Sequence, residues 1–179
     1  ATGINSETYT VTGNSWATLT GAVPAGLVRS VILPNPGSSI HLTRLGGATG
    51  SLTTTQVYDG TTWQSPTTIP VSGSVGRSAQ IFSSVQNATY LFGSYASPAT
   101  NTMILKYNHA DALVTNTGAT MSVARTRVST TLLTDGRILI AGGTTSGTVP
   151  LTTCEIFTPP STISACGNLV TAVTEGVLL

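Results

Sequence analysis

The chain has 179 residues, a formal net charge of +1 and only 7% charged residues, while 40% are hydrophobic. So little charge provides no electrostatic footprint for nucleic acid or for an anionic membrane surface. No apolar run reaches the roughly 18 to 20 residues that a membrane-spanning helix needs, and no amphipathic helix is recognisable. Thr and Ser are abundant and favour strands and turns, so we predict an all-β chain whose partners include neither nucleic acid nor a membrane.

The first twenty residues predict two strands. Their sequence, ATGINSETYTVTGNSWATLT, has the same residue types as a later stretch, ATGSLTTTQVYDGTTW, which follows a glycine pair. We therefore interpret residues 1–20 as the last two strands of a four-stranded repeat. The linker GAVPAG then leads to a first complete repeat, with a hairpin at Asn35-Pro36-Gly37, where Pro presets φ for a turn.

The second repeat begins near Arg77. Strands SAQIFSS and TYLFG turn at Gln86-Asn87, NTMILKYN is the third strand, and HADALVT is interpreted as the fourth. Asn87 begins the sequon Asn87-Ala88-Thr89, so we predict an N-linked glycan at this hairpin tip if the source is eukaryotic. The repeat alignment places Asn87 at the position of Asp135, 48 residues later.

The third repeat runs from Arg125 to Pro159. The apolar runs VSTTLL and ILIA flank a TDGR turn, and Asp-Gly between such runs predicts a two-residue hairpin loop in which both residues have φ > 0. A glycine pair ends the second strand, and TTCEIFTP is the third strand.

The closing stretch, GNLVTAVTEGVLL, predicts the beginning of another repeat. Its VTAVTEGVLL aligns with TTLLTDGRIL at an offset of 40, with Glu175-Gly176 in place of Asp135-Gly136. We therefore expect residues 169–179 to be ordered and strand-paired. The two termini would complete one four-stranded unit, either with each other in a closed ring or with adjoining segments of a longer repetitive polypeptide.

Four kinds of residue recur with a period of about 49 residues. The recurring residues are the aromatics Tyr9, Tyr58, Tyr107 and Phe157, the glycines Gly46-Gly47, Gly93 and Gly142-Gly143, the arginines Arg29, Arg77 and Arg125, and the tryptophans Trp16 and Trp63. Four apolar residues, a glycine pair, then Tyr and Trp at these intervals resemble the kelch repeat, which galactose oxidase-like enzymes share.

The resemblance implies a kelch-like β-propeller of four-stranded antiparallel blades, with about four repeats. Full repeats are expected at about 27–68, 77–117 and 125–166, and blade halves at 1–20 and 167–179. In such a fold the glycines would pack tightly near the axis, and the arginines would bind backbone carbonyls between blades. An alternative is that the arginines bind an anionic sugar. The Tyr and Phe side chains would form core, and the tryptophans either core or a sugar-stacking surface.

Candidate catalytic residues do not form a set. His41 and His109 read as ordinary surface or strand residues, and the six acids are scattered, several of them at turn positions. The Tyr, His and Cys set that a galactose oxidase-like copper-radical site needs cannot be assembled. We therefore predict no catalytic residues, no metal and no cofactor.

Cys154 and Cys166 are the only two cysteines. The loop between them is short and contains Pro159-Pro160, so a disulfide would cost little entropy to close and we predict one; two buried free thiols are the alternative. A disulfide favours a secreted, extracellular or cell-surface location.

These observations together predict a non-enzymatic extracellular glycoprotein segment with a structural or adhesive role, such as a repeated building block of a fibre. Its partners would be further copies or adjoining segments, covalent glycans and carbohydrate. The alternative is a carbohydrate-binding propeller, or the propeller portion of a galactose oxidase-like enzyme.

Overall fold

The computed structural model describes residues 7–10, 12–18, 31–35, 41–45, 54–58, 63, 67–68, 78–93, 102–111, 113–145 and 149–173. This part of the chain is all-β and contains no helix. Its strands are β1 (Glu7–Thr10), β2 (Ser15–Thr18), β3 (Val31–Asn35), β4 (His41–Leu45), β5 (Thr54–Tyr58), β6 (Thr67–Thr68), β7 (Ala79–Ser83), β8 (Ala88–Phe92), β9 (Met103–Asn108), β10 (Leu113–Thr120), β11 (Ser129–Leu132), β12 (Ile138–Ala141), β13 (Thr144–Thr145), β14 (Val149–Pro150), β15 (Cys154–Thr158) and β16 (Thr162–Ala165).

Twelve of these strands form three four-stranded antiparallel sheets. The first sheet is ordered β3-β4-β5-β6, the second β7-β8-β9-β10 and the third β11-β12-β15-β16. Each sheet joins strands that follow one another in sequence, because short turns allow neighbouring strands to pair antiparallel. The hairpin β13–β14 interrupts only the connection between the second and third strands of the third sheet, and β1–β2 is a separate hairpin.

The hairpin between β11 and β12 differs from its predicted form. The Leu133 carbonyl accepts a hydrogen bond from the Gly136 N–H at 2.9 Å, and the Leu133 N–H donates to the Arg137 carbonyl at 2.7 Å. Gly136 has φ of +85°, whereas Asp135 does not have a positive φ. The loop therefore has three residues and ends in a left-handed glycine, and the predicted two-residue Asp-Gly turn is wrong.

The β7–β8 loop has the same ending. Asn87 has φ of +44° and its N–H donates to the Ser84 carbonyl, as the Gly136 N–H does to Leu133. Asn87 therefore corresponds to Gly136, one position later than the sequence alignment with Asp135 had placed it. Asn is one of the residues that tolerate this conformation, which explains why it replaces glycine here.

The hydrophobic core lies between the second and third sheets. The Phe157 ring packs edge-on against Tyr90, with ring centroids 5.1 Å apart, and against Phe92 at 5.8 Å. Tilted aromatic pairs of this kind contribute about 0.5 to 1.5 kcal/mol beyond their buried area. The other buried members of the cluster are Ala88, Ile104, Ala119, Met121, Val128, Ile138 and Ile140.

Two glycines make the same close contact at successive sheets. A Cβ placed on Gly93 would lie 2.5 Å from the carbonyl oxygen of Arg125, and one placed on Gly142 would lie 2.5 Å from that of Val173. Both glycines have positive φ, +69° and +63°. Arg125 precedes the third sheet, so Val173 occupies the corresponding place after it, 48 residues along.

A pair of hydrogen bonds repeats with the same offset. The Met121 N–H donates to the Thr102 carbonyl, and the Leu169 N–H donates to the Thr152 carbonyl. Residues 169–173 thus correspond to 121–125, and the offset of 40 that aligned this stretch with a first strand is wrong. Val170 and Thr171 form a bend rather than a strand. Glu175-Gly176 and the rest of 174–179 lie outside the described residues, as does the predicted turn at Pro36-Gly37.

Candidate functional site

Arg125 forms the most extensive polar cluster in the described part of the chain. Its side chain is fully buried in the connection between β10 and β11, and its Nη1 donates to the carbonyls of Gly142 and Thr153, each at 2.9 Å. Nη2 donates to Glu155 Oε2 at 2.9 Å, and Nε reaches the same oxygen at 3.3 Å. A guanidinium suits this place because its fork of five N–H groups can bind several acceptors at once. These contacts hold together the ends of β12 and β15.

Glu155 is the residue that sequence reasoning missed at this cluster. Its side chain is 5% exposed, and Oε1 accepts a hydrogen bond from the Ser122 N–H at 2.8 Å. The acid had been grouped with scattered acids, several of them in turns, yet it lies inside the third sheet opposite Ile140 and Ala165. Because both partners are buried and hydrogen-bonded, the pair is a structural ion pair rather than an open anion site.

His109 is buried, contrary to the prediction of an ordinary surface or strand residue. It is 3% exposed, and its Nε2 lies 2.8 Å from the Thr89 hydroxyl oxygen. The ring packs edge-on against Tyr107 at 4.8 Å and Phe82 at 5.3 Å. Its N–H also donates to the Asn87 carbonyl, which ties the β9–β10 turn to the β7–β8 loop. The residues flanking His109 are polar, so hydropathy gave no signal of its burial.

The two tryptophans have different environments. Trp16 in β2 is 68% exposed, so the expected core packing is wrong for this residue. Trp63 is half-buried and packs against the buried Tyr58, with ring centroids 5.4 Å apart. Sugar stacking is therefore sterically open at Trp16 but not at the ring face that Trp63 presents to Tyr58.

The remaining recurrent positions divide into described and undescribed ones. Tyr107 and Phe157 are fully buried, as are the three glycines at 93, 142 and 143. Tyr9 lies in β1 opposite Trp16. Arg29, Arg77, Gly46 and Gly47 lie outside the described residues, so their predicted roles remain predictions. Asn87 is exposed in its loop.

Cys154 and Cys166 form the predicted disulfide. Their Cα atoms are 5.4 Å apart and the residues are 12 positions apart in sequence. The bond joins the start of β15 to the residue after β16, so it closes the outer hairpin of the third sheet.

A cleft of about 160 Å³ opens between the loops of the second and third sheets. At its mouth Arg137 pairs with Asp135, with Nε and Nη2 each 2.7 Å from Oδ2. Hydrogen bonds from Arg137 hold the pKa of the Asp135 carboxyl below its usual range, and that carboxylate in turn raises the pKa of Arg137. The cleft is lined by Ser83, Val85, Gln86, Asp135, Gly136, Arg137, Thr158 and Pro159.

Metal-ligating side chains do not converge in the described part of the chain. No three His, Cys, Asp or Glu residues within it lie close enough to share an ion. The same residues contain no helix long and apolar enough to cross a membrane.

The fold and these sites define an all-β chain built from antiparallel four-stranded sheets. No protein-family model matches the chain, and no curated protein matches its sequence. Solved structures do match. One is the structure of YjhT, which is 14% identical with a TM-score of 0.67 over 97% of this chain and 64% of the other. Another is a fungal alcohol oxidase of the AA5 family in complex with copper, 17% identical with a TM-score of 0.75 over 96% of this chain and 40% of the other.

This likeness concerns the fold, since identities of 14% and 17% are low. The chain spans less than two thirds of the length of either protein.

Proposed function

We propose that the chain is part of a kelch-like β-propeller and serves as a non-enzymatic structural or adhesive unit of an extracellular glycoprotein. The observation that carries this proposal is the use of its acids. Glu155 binds Arg125 inside the third sheet, Asp135 binds Arg137 in a hairpin loop, and Asp111 accepts from the Leu113 N–H at 3.1 Å. Each carboxylate whose side chain is described therefore supports the fold.

The three four-stranded sheets are the proposed blades. Support comes from the contacts of Gly93 with Arg125 and of Gly142 with Val173, which recur after one repeat length. Further support is the structural likeness over nearly the whole chain to two larger proteins. Three full repeats at 27–68, 77–117 and 125–166 remain our proposed boundaries.

A neighbouring segment is the proposed partner of the third sheet. The row Thr131, Leu139 and Ile156 crosses three of its strands on the face opposite Phe157, and all three side chains are partly exposed. An apolar row of this kind is suited to packing against another sheet. We propose that an adjoining segment of the same polypeptide, or a second copy, covers it.

The extracellular location rests on the disulfide, because such bonds persist in oxidising compartments. The proposed glycan at Asn87 would project from an exposed loop, as bulky surface sugars do. Mass spectrometry of the peptide that contains Asn87 tests the glycan directly, since an unmodified peptide from the native source contradicts it.

Sedimentation of the full chain over a range of concentrations tests the assembly role. We expect self-association in the wild type and its loss in Ile156→Lys, which places a charge in the proposed contact. Val149→Lys is the matched control, because Val149 is 56% exposed and lies outside the third sheet. A wild-type chain that is monomeric at every concentration contradicts the fibre role.

A second candidate is the propeller portion of a copper-dependent alcohol oxidase, favoured by the TM-score of 0.75 with the fungal enzyme. The described residues do not fit a copper site, because His109 is bonded to Thr89 and both cysteines are in the disulfide. Any copper ligands would have to lie elsewhere in the protein. Peroxide release from a primary alcohol by the copper-loaded full-length protein would favour this candidate over the scaffold.

A further inference from the structure

The cleft between the second and third sheets has features of a small binding site. Its walls come from three separate turns: the β7–β8 loop with Val85 and Gln86, the β11–β12 loop with Asp135 to Arg137, and the β15–β16 turn with Thr158 and Pro159. Its volume of about 160 Å³ corresponds to about five water molecules at roughly 30 Å³ each. That is enough for one six-membered sugar ring but not for a peptide or a nucleotide.

The charges of the cleft cancel. Arg137 and Asp135 are each about half-exposed, and they lie 2.7 Å apart. The guanidinium uses part of its fork on Asp135, and its remaining N–H groups can still donate to a ligand. The carboxylate can accept from a ligand hydroxyl as well as from Arg137. An anionic ligand would meet Asp135 and a cationic one Arg137, so the pair favours a neutral ligand.

The rest of the lining combines neutral hydrogen-bonding groups with an apolar wall. Gln86 supplies an amide, while Ser83 and Thr158 supply hydroxyls. Val85 is 84% exposed, and together with Pro159 it presents aliphatic carbon to the cleft. A sugar ring has the complementary chemistry, because it carries hydroxyls around its rim and C–H groups on its faces.

We propose that this cleft binds a single neutral pyranose ring, either free or at the end of a glycan chain. Asp135 and Arg137 hydrogen-bond neighbouring hydroxyls of the ring, Gln86 and Thr158 bond the opposite side, and Val85 covers one face. The site is distinct from Trp16 and Trp63, the residues that the sequence offered for sugar stacking. It goes beyond the scaffold role and does not depend on it.

Amide NMR spectra of the isotope-labelled full chain test the proposal. The probes are the neutral methyl glycosides of glucose, galactose, mannose and N-acetylglucosamine, with glucuronic acid and glucosamine as charged comparators. At least one neutral sugar should give saturable shifts at the amides of Gln86, Gly136 and Thr158. A dissociation constant on the order of 1 to 10 mM is expected for one ring. The charged sugars should bind more weakly.

Two exposed side chains serve as test variants with matched controls. Gln86→Ala and Thr158→Ala should each raise the dissociation constant about fivefold, as loss of one hydrogen bond does. Gln80→Ala and Thr120→Ala change the same residue types at exposed positions outside the cleft and should have no effect. A dispersed amide spectrum of each variant shows that it is folded.

Three results would overturn the proposal. They are no saturable shift with any neutral sugar, shifts that map to Trp16 instead of the cleft, and binding that both test variants leave unchanged. Equal or tighter binding of a charged comparator would also overturn it, since the Arg137–Asp135 pair would then not select neutral ligands. None of these outcomes bears on self-association, so the scaffold role would stand or fall separately.

Discussion

Arg125 donates twice to one carboxylate oxygen of Glu155, a residue 30 positions later in the chain. The other oxygen of that carboxylate binds the Ser122 N–H. The acid thus joins the connection before the third sheet to the third strand within it, and both charged side chains are withdrawn from water.

Glu155→Ala should destabilise the chain by about 3 to 5 kcal/mol, because it leaves the Arg125 guanidinium buried without its counter-charge. Urea unfolding followed by circular dichroism measures the change. Asp135→Ala is the control, since it removes the partner of an arginine at an exposed site and should change stability little. Equal losses in the two variants would contradict the importance of burial.

Tyr90→Phe should stabilise the chain by about 1 kcal/mol. The Tyr90 hydroxyl is buried and has no hydrogen-bond partner among the described residues, so its removal relieves a desolvation cost. The ring stays in place against Phe157. Tyr107→Phe, at an equally buried tyrosine, should not stabilise. A loss of stability in Tyr90→Phe would mean that the hydroxyl is satisfied in solution.

The same hydroxyl predicts an alkaline loss of stability. Burial raises the pKa of Tyr90 above its value in the unfolded chain, which is about 10. The resulting stabilisation is fully present below the unfolded pKa and is lost as pH rises through the folded one. Thermal melts between neutral pH and pH above 10 should therefore fall more steeply for the wild type than for Tyr90→Phe. Parallel curves would show that another group dominates.

Gly93→Ala and Gly142→Ala should each destabilise the chain more than Gly136→Ala. All three glycines have positive φ, so each substitution strains the backbone by roughly 1 kcal/mol. At Gly93 and Gly142 the added Cβ would also meet a backbone carbonyl oxygen, whereas nothing lies within 4 Å at Gly136. The difference in midpoint of urea unfolding isolates the steric part. If the three losses are equal, the close approach is not maintained in solution.

Local patterns predicted the strands well, because alternating apolar and polar residues, with turn residues between them, depend on nearby positions. The strands before and after Asn87 and Gly136 lie where these patterns place them. The left-handed residue of each loop was assigned one position off, since sequence fixes a turn's neighbourhood better than its hydrogen bonds.

Long-range partners account for what the sequence did not predict. Residue type and flanking polarity marked His109 as a surface residue and Glu155 as one of several scattered acids, yet each is buried by a partner that is distant in the chain. Thr89 lies 20 positions before His109. Trp16 fails in the opposite direction, because hydrophobic character alone does not ensure that another element covers a side chain.

The contact between Thr89 and His109 has a consequence for biosynthesis. Thr89 is the hydroxyl residue of the sequon at Asn87, and in the folded sheet it is 4% exposed, with its oxygen 2.8 Å from His109 Nε2. A glycosylating enzyme that reads the threonine must reach it before β8 lies against β9. Attachment of a sugar at Asn87 is thus restricted to the nascent chain, and the fraction of molecules that carry one would record how fast this sheet folds relative to the enzyme.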